Sequence, residues 1–278
     1  MAHTYLTGTR IEVINPDAPR GRVRFALFDF DGTLSLIREG WQGVMIPFFV
    51  QELLRCPESE SAADVEGVVY DFVEKLTGKQ TIYQCFRLIE EIEKRGGAAR
   101  TALEYKHEYL QRLGDRIRHR LDGLQSGEIP ADRLLLPGSI EFLSELRSSG
   151  IRMYLASGTD LVYVRAEAEA LGVAPFFGEH IYGALDRYQD FSKQMIIERI
   201  LAENNLHGPE LMLIGDGYVE IENGKDAGGL GIGIASDEAN PGQVDTWKRN
   251  RLIEAGSDLI IPDFSDGTQL LKYVGVAQ

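Results

Sequence analysis

Four short stretches of this sequence carry residue types able to act on an anionic group. In FDFDGTL, Asp29 and Asp31 stand two residues apart and are followed by Gly32 and Thr33. Two carboxylates so close suit a pair in which one attacks an electrophile and the other handles protons. Gly32 permits a sharp exit from the preceding segment, and Thr33 adds a hydroxyl. Ser157, Gly158 and Thr159 follow the apolar run IRMYLA and offer a hydroxyl and a backbone whose N–H groups can turn toward a phosphate. Lys193 opens a helix-like segment after Asp190, Phe191 and Ser192, where a cation opposes the helix dipole unless an anion lies nearby. In LMLIGDGYVEIENG, Asp216 ends an apolar run and Glu220 comes four residues later, a pair able to supply oxygen ligands to Mg²⁺. Taken singly, each stretch also has a plain structural reading: a strand-ending turn with solvated acids, a Ser-Gly helix start, a surface lysine, a Gly-Asp-Gly turn.

These residues need elements that hold them at one place. VRFALFDF (23–30) is β-prone and nearly continuous in apolar side chains, the pattern of a strand buried on both faces of a parallel sheet. From Leu134 onward strand and helix patterns alternate: helix SIEFLSELRSS, strand IRMYLAS, helix LVYVRAEAEALG, a strand near HIYG, helix KQMIIERILAEN, and strands ELMLIG, LGIGIAS and DLIIP. Such alternation indicates an α/β fold, a doubly wound parallel sheet with helices on both faces. Ligands of such sheets bind beyond the carboxyl ends of the strands, which is where all four stretches fall. A further short strand is expected at Ile11–Ile14, with a turn from Asn15 to Gly21.

Between about Leu36 and Leu124 only helical periodicity appears, in four segments broken at Cys56-Pro57, Gly78 and Gly96-Gly97. Pro47 is expected to kink the first of these helices or to start a new one. The expected organisation is an α/β core from residues 1–36 and 131–278, interrupted by an all-helical domain over 37–130. The glycine-rich run AGGLGIGIA lacks the GxxxxGK[ST] pattern of a nucleotide loop and reads as a strand of small residues suited to close packing.

Composition narrows the function classes. The chain has 278 residues, 44% of them hydrophobic and 26% charged, enough for a sizeable core. Its 43 acidic residues against 29 basic ones give a net charge of −14, which disfavours nucleic acid and anionic membrane as partners. A phosphate ligand would therefore need local compensation from a metal ion, a lysine and helix N-termini. No run approaches the roughly 18 apolar residues of a membrane helix, and the opening MAHTYLTGTR lacks the apolar core of a secretory signal, so a cytoplasmic protein is expected. Cys56 and Cys85 stand apart from any CxxC or ligand-spaced histidine and are expected to be buried as small apolar residues.

Taken together, DFDGT at 29–33, SGT at 157–159, Lys193 and GDGYVE at 215–220 resemble, in order and in strand-end placement, the four motifs of haloacid dehalogenase superfamily hydrolases. The resemblance spans essentially the whole chain. It implies a Rossmann-like core, a helical cap inserted after the first motif, and phosphoryl transfer through an aspartyl-phosphate with Mg²⁺. It makes Asp29 the nucleophile and a metal ligand, and Asp31 the general acid/base with its backbone carbonyl on the metal. Thr33, Ser157 and Gly158 are then expected on phosphoryl oxygens, Lys193 on the phosphate and nucleophile, and Asp216 and Glu220 at the metal, Glu220 in place of the family's commoner aspartate. The expected partner is a small phosphorylated metabolite. Asp31 argues against a dehalogenase, since a halide leaves without a proton. A sugar phosphomutase and a non-catalytic phosphate-binding module stay open as alternatives. Arg38, Glu39 and Trp41, just past the first motif, are candidates to face the site.

Overall fold

In the computed structural model, which describes residues 4–276, eight strands form one sheet. They are β1 (Thr4–Tyr5), β2 (Glu12–Val13), β3 (Phe25–Phe28), β4 (Arg152–Asp160), β5 (Ile181–Ala184), β6 (Leu211–Gly215), β7 (Leu230–Ile234) and β8 (Leu259–Ile261). The order across the sheet is β1-β2-β8-β7-β6-β3-β4-β5, with β3 through β8 parallel and β1 and β2 added antiparallel at one edge. The alternating pattern from Leu134 onward thus becomes a doubly wound, Rossmann-like α/β sheet. β2 lies within the expected Ile11–Ile14 segment, whereas β1, two exposed residues, has no apolar signal to announce it.

The continuous apolar run around β3 follows from its central place. Phe25 and Leu27 pack on one face with Ile196, Ile197 and Ile200 of α8 (Lys193–Glu203). Phe28 meets Phe142 of α5 (Ser139–Ser148), Phe177 of α7 (Ala174–Phe177) and Phe264 on the other, with ring centroids 5.8–6.4 Å away. Alternate side chains of one strand therefore both enter apolar layers. The remaining helices of this α/β part are α6 (Leu161–Ala170), α9 (Tyr218–Asp226), α10 (Thr246–Glu254) and α11 (Gly267–Val274). The glycine-rich run is β7, buried at every position, and no helix follows it until Thr246.

The chain divides into two compact units, one of residues up to Glu39 and from Leu121 onward, the other Gly40–Arg120. These junctions lie inside the 37–130 limits read from the sequence. Leu36 N–H donates to Leu134 O and Leu136 N–H to Leu34 O, both at 2.9 Å, and this ladder fastens both flanks of the insertion to the α/β unit. The second unit is all helical: α1 (Gln42–Leu54), α2 (Ala62–Leu76), α3 (Thr81–Lys94) and most of α4 (Ala102–Ser126). Pro47 does not start a new helix. It lies inside α1, where the buried face of Met45, Phe48, Phe49 and Leu53 carries the helix past the missing hydrogen bond. Cys56 and Cys85 are both free and buried, and burial pushes the Cys85 thiol up to about 12. Among the described residues no helix is long and apolar enough to cross a membrane.

Candidate active site

Strand register brings three of the four motifs to one line. Phe28 of β3 pairs with Leu155 of β4 on one side and Ile214 of β6 on the other, so Asp29, Ser157 and Asp216 emerge within two residues of one level. Asp29 N–H still donates to Ile214 O at 2.8 Å, which fixes the residue at the strand tip. Chain order reverses beside β3, the switch point where such sheets open a crevice at their carboxyl ends.

Asp29 is buried, with Oδ1 accepting from Phe30 N–H at 2.8 Å and Oδ2 2.7 Å from Lys193 Nζ. The same ammonium lies 2.8 Å from Glu220 Oε2. Burial would lower the Lys193 ammonium, yet the two carboxylates outweigh it and hold the group raised, hence charged. Two buried acids share that one cation, so burial pushes Asp29 up despite Lys193, and Glu220 up to about 8. Lys193 is the first residue of α8, whose N-cap Ser192 accepts from Met195 N–H. The cation at an unfavourable helix end has the anions that the dipole argument demands.

Asp31 occupies a different environment. Its Oδ2 accepts from Thr159 Oγ1 at 2.8 Å and Ser157 Oγ at 3.2 Å. Its Oδ1 is buried and accepts no hydrogen bond, with Arg38 Nε 3.7 Å away. Burial pushes the Asp31 carboxyl up to about 6, with Arg38 opposing. Arg38 is itself buried and held by Glu167 of α6 through Nε at 3.1 Å and Nη2 at 2.6 Å. Of the three residues past the first motif, the structure thus brings Arg38 to the acid pair. Trp41 stands in the helical unit as N-cap of α1, and Glu39 is half-buried.

Thr33, expected on a phosphoryl oxygen, is fully buried, and its hydroxyl accepts from Asp216 N–H at 3.0 Å and donates to Asp216 Oδ1 at 3.4 Å. It orients the acid of the fourth motif. Ser157 is likewise buried and tied to Asp31, and its Oγ accepts Thr159 N–H at 3.0 Å. Gly158 follows it half-buried. Glu220 folds back toward β6, its Oε1 accepting Gly217 N–H at 2.8 Å. Gly215 leaves that space, since a Cβ there would lie 2.0 Å from Glu220 Oε1.

Asp29, Asp216 and Glu220 each present a carboxylate oxygen, all within 4.8 Å of one another. Hard oxygen donors drawn from a few carboxylates fit Mg²⁺, which keeps several of its own waters. Three residues absent from the sequence reading, Lys248, Glu238 and Glu167, complete the surroundings. Lys248 of α10 reaches Asp216 Oδ2 and Glu238 Oε1, each at 2.7 Å, and Glu167 anchors Arg38. Lys248 had a sequence signal of the kind that marked Lys193, a cation in the first turn of a helix.

The haloacid dehalogenase-like hydrolase family model matches residues 23–228. Comparison with curated protein sequences gives no match. Among solved structures, a predicted phosphoglycolate phosphatase from Haemophilus somnus 129PT is 16% identical with a TM-score of 0.59, over 90% of this chain and 98% of that one. A β-phosphoglucomutase from Clostridium difficile is 15% identical with a TM-score of 0.59, over 91% and 97%. CbbY from Rhodobacter sphaeroides, solved with phosphate, is 19% identical with a TM-score of 0.56, over 88% and 96%. At such identities these likenesses concern the fold.

Proposed function

The chain belongs to the haloacid dehalogenase-like hydrolases, and from that premise we propose that it is a Mg²⁺-dependent phosphatase acting on a small phosphomonoester, with Asp29 as nucleophile. The observation that carries this reading is the division of labour between two carboxyls two residues apart. Asp29 lies 2.7 Å from Lys193, a cation that opposes the upward push of burial, while Asp31 is held by two hydroxyls, is pushed up to about 6 and has one oxygen accepting no hydrogen bond. Unequal environments of this kind separate a nucleophile from an acid.

Asp29 attacks phosphorus, and the bond from phosphorus to the leaving oxygen breaks as Asp31 delivers its proton to that oxygen. Water then attacks the aspartyl-phosphate, gives a proton to Asp31, and inorganic phosphate departs with the Asp29 carboxylate restored. Lys193 offsets charge on the nucleophile and phosphoryl group, and backbone N–H groups around Gly158 are suited to receive phosphoryl oxygens. Ser157 and Thr159 hold Asp31 in position, and Thr33 does the same for Asp216. Asp29, the Asp31 carbonyl and Asp216 would hold Mg²⁺, and Glu220 would hold the Lys193 ammonium in place beside Asp29. When bound, the ion neutralises charge on the phosphoryl oxygens.

The similar structures of a predicted phosphoglycolate phosphatase and a β-phosphoglucomutase support a small phosphorylated metabolite as substrate. The test is release of inorganic phosphate from a panel of phosphorylated metabolites and from p-nitrophenyl phosphate, with and without Mg²⁺. Wild type should release phosphate only with the metal, and Asp29→Asn should abolish release while remaining folded. Wild-type turnover by Asp29→Asn defeats the covalent reading.

A further inference from the structure

Lys193 is not the only buried lysine against these acids. Lys248, on the first turn of α10, has its ammonium 2.7 Å from Asp216 Oδ2, 2.7 Å from Glu238 Oε1 and 3.4 Å from Ser236 Oγ. An ammonium has three donors, and these three acceptors match them. Ser236 Oγ in turn donates to Gly32 O at 2.8 Å. The group therefore ties together the loops that leave β3, β6 and β7 with the start of α10. Asp245 caps that helix by accepting Lys248 N–H at 2.9 Å, which fixes the root of the side chain. The Lys248 side chain is 11% exposed and those of Asp216 and Glu238 are 14% and 18% exposed, so water screens the three charges little.

Resting on the reading of Asp216 as a metal ligand, we propose that Lys248 is an internal counter-cation of the metal site: it holds Asp216 in place without the metal and opposes Mg²⁺ for the same carboxylate. Glu238 shares the lysine, and so limits how strongly Asp216 is claimed. The pair sets the affinity of the site from outside it. A lysine that merely braced the loops would, when removed, weaken metal binding along with stability. A counter-cation does the reverse, because its loss leaves Asp216 and Glu238 repelling each other with no cation between them, and a divalent ion on Asp216 relieves that repulsion.

The experiment is Mg²⁺ titration by calorimetry, paired with thermal unfolding of the whole protein in chelator and in saturating Mg²⁺. Partners that surround a metal site tune affinity by about 10- to 100-fold. Lys248→Met should therefore bind Mg²⁺ about 10-fold or more tightly than wild type, melt lower in chelator, and gain more from added Mg²⁺ than wild type does. Glu238→Gln should shift the affinity in the opposite direction, since Lys248 then bears on Asp216 alone. Lys248→Arg should stay near wild type. Weaker or unchanged binding in Lys248→Met overturns the proposal. If that variant does not fold without metal, Glu238→Gln decides, and unchanged or tighter binding there overturns it. A wild-type protein that takes up no Mg²⁺, or an Asp216→Asn variant that binds like wild type, overturns the reading of the metal site and this inference with it.

Discussion

At the scale of the residue, the chemistry rests on two carboxyls that one dipeptide step separates. Asp29 faces Lys193 at 2.7 Å, whereas Asp31 faces two hydroxyls and, at 3.7 Å, Arg38. Burial raises Asp31 to about 6, so the folded protein holds that proton more tightly than the unfolded chain. The associated stability is complete below the ordinary carboxyl range and is lost as pH rises through about 6. Protonated Asp31 serves a poor leaving group and is dispensable for a good one. The kcat/KM of an alkyl phosphate, divided by that of p-nitrophenyl phosphate, should therefore fall as pH rises through about 6. Measuring both profiles on one preparation checks this, and a flat ratio would remove Asp31 as the acid. Asp29 and Asp216 were legible in the sequence because each directly follows an apolar run, and a strand tip is where a parallel sheet puts its ligands; Asp31 was legible as a second acid two residues beyond Asp29. The carboxylate partners of Thr33 and Ser157, Asp216 and Asp31, were not legible. A hydroxyl can serve a phosphate or a neighbouring carboxylate equally well, and only distance chooses between them.

At the scale of the element, the site depends on loops that approach one another closely. Gly32 has φ +73°, and a Cβ on it would lie 2.3 Å from Asp216 Oδ2 and 3.0 Å from Glu238 Oε1. An alanine there costs about 1–2 kcal/mol for the left-handed backbone alone, and it drives Asp216 away from Asp29. Gly32→Ala should thus lose that stability in chemical denaturation and, beyond it, nearly all Mg²⁺-dependent turnover in a folded protein. Wild-type turnover would mean that the Asp216 carboxylate need not sit where the structure has it. The strands were readable from their apolar runs because burial on both faces leaves no polar alternation. α10 hid its role: TWKRNRLIE has almost no apolar stripe, since only Leu252 and the Lys248 stem are buried, and an ordinary surface helix looks the same. The Lys248–Glu238 pair joins residues that a ten-residue sequence separation does not mark as neighbours.

At the scale of the whole molecule, a chain of net charge −14 is proposed to handle an anionic substrate. The buried cations Lys193, Lys248 and Arg38 are each shared by two of the acids around the strand ends, so a phosphate bound there would still need the charge of a metal ion. The helical unit Gly40–Arg120 was legible as an insertion from the change in periodicity, but its limits were not. α4 runs as one helix through the junction, and the ladder at Leu34–Leu36 and Leu134–Leu136 leaves no signal in composition. Inserted two residues past Arg38, this unit is proposed to select substrate and exclude water, as lids do. Replacing residues 40–120 with a short linker should impair turnover of the best metabolite far more than that of p-nitrophenyl phosphate, and equal losses would contradict the lid. A phosphoryl group carried on Asp29 can be detected directly. Acid quench of the enzyme during turnover of a ³²P-labelled substrate, followed by peptide mapping, should yield hydroxylamine-labile label on the peptide containing Asp29 and none in Asp29→Asn. Label on another residue, or turnover with no labelled protein at any time, would rule out Asp29 as the covalent nucleophile.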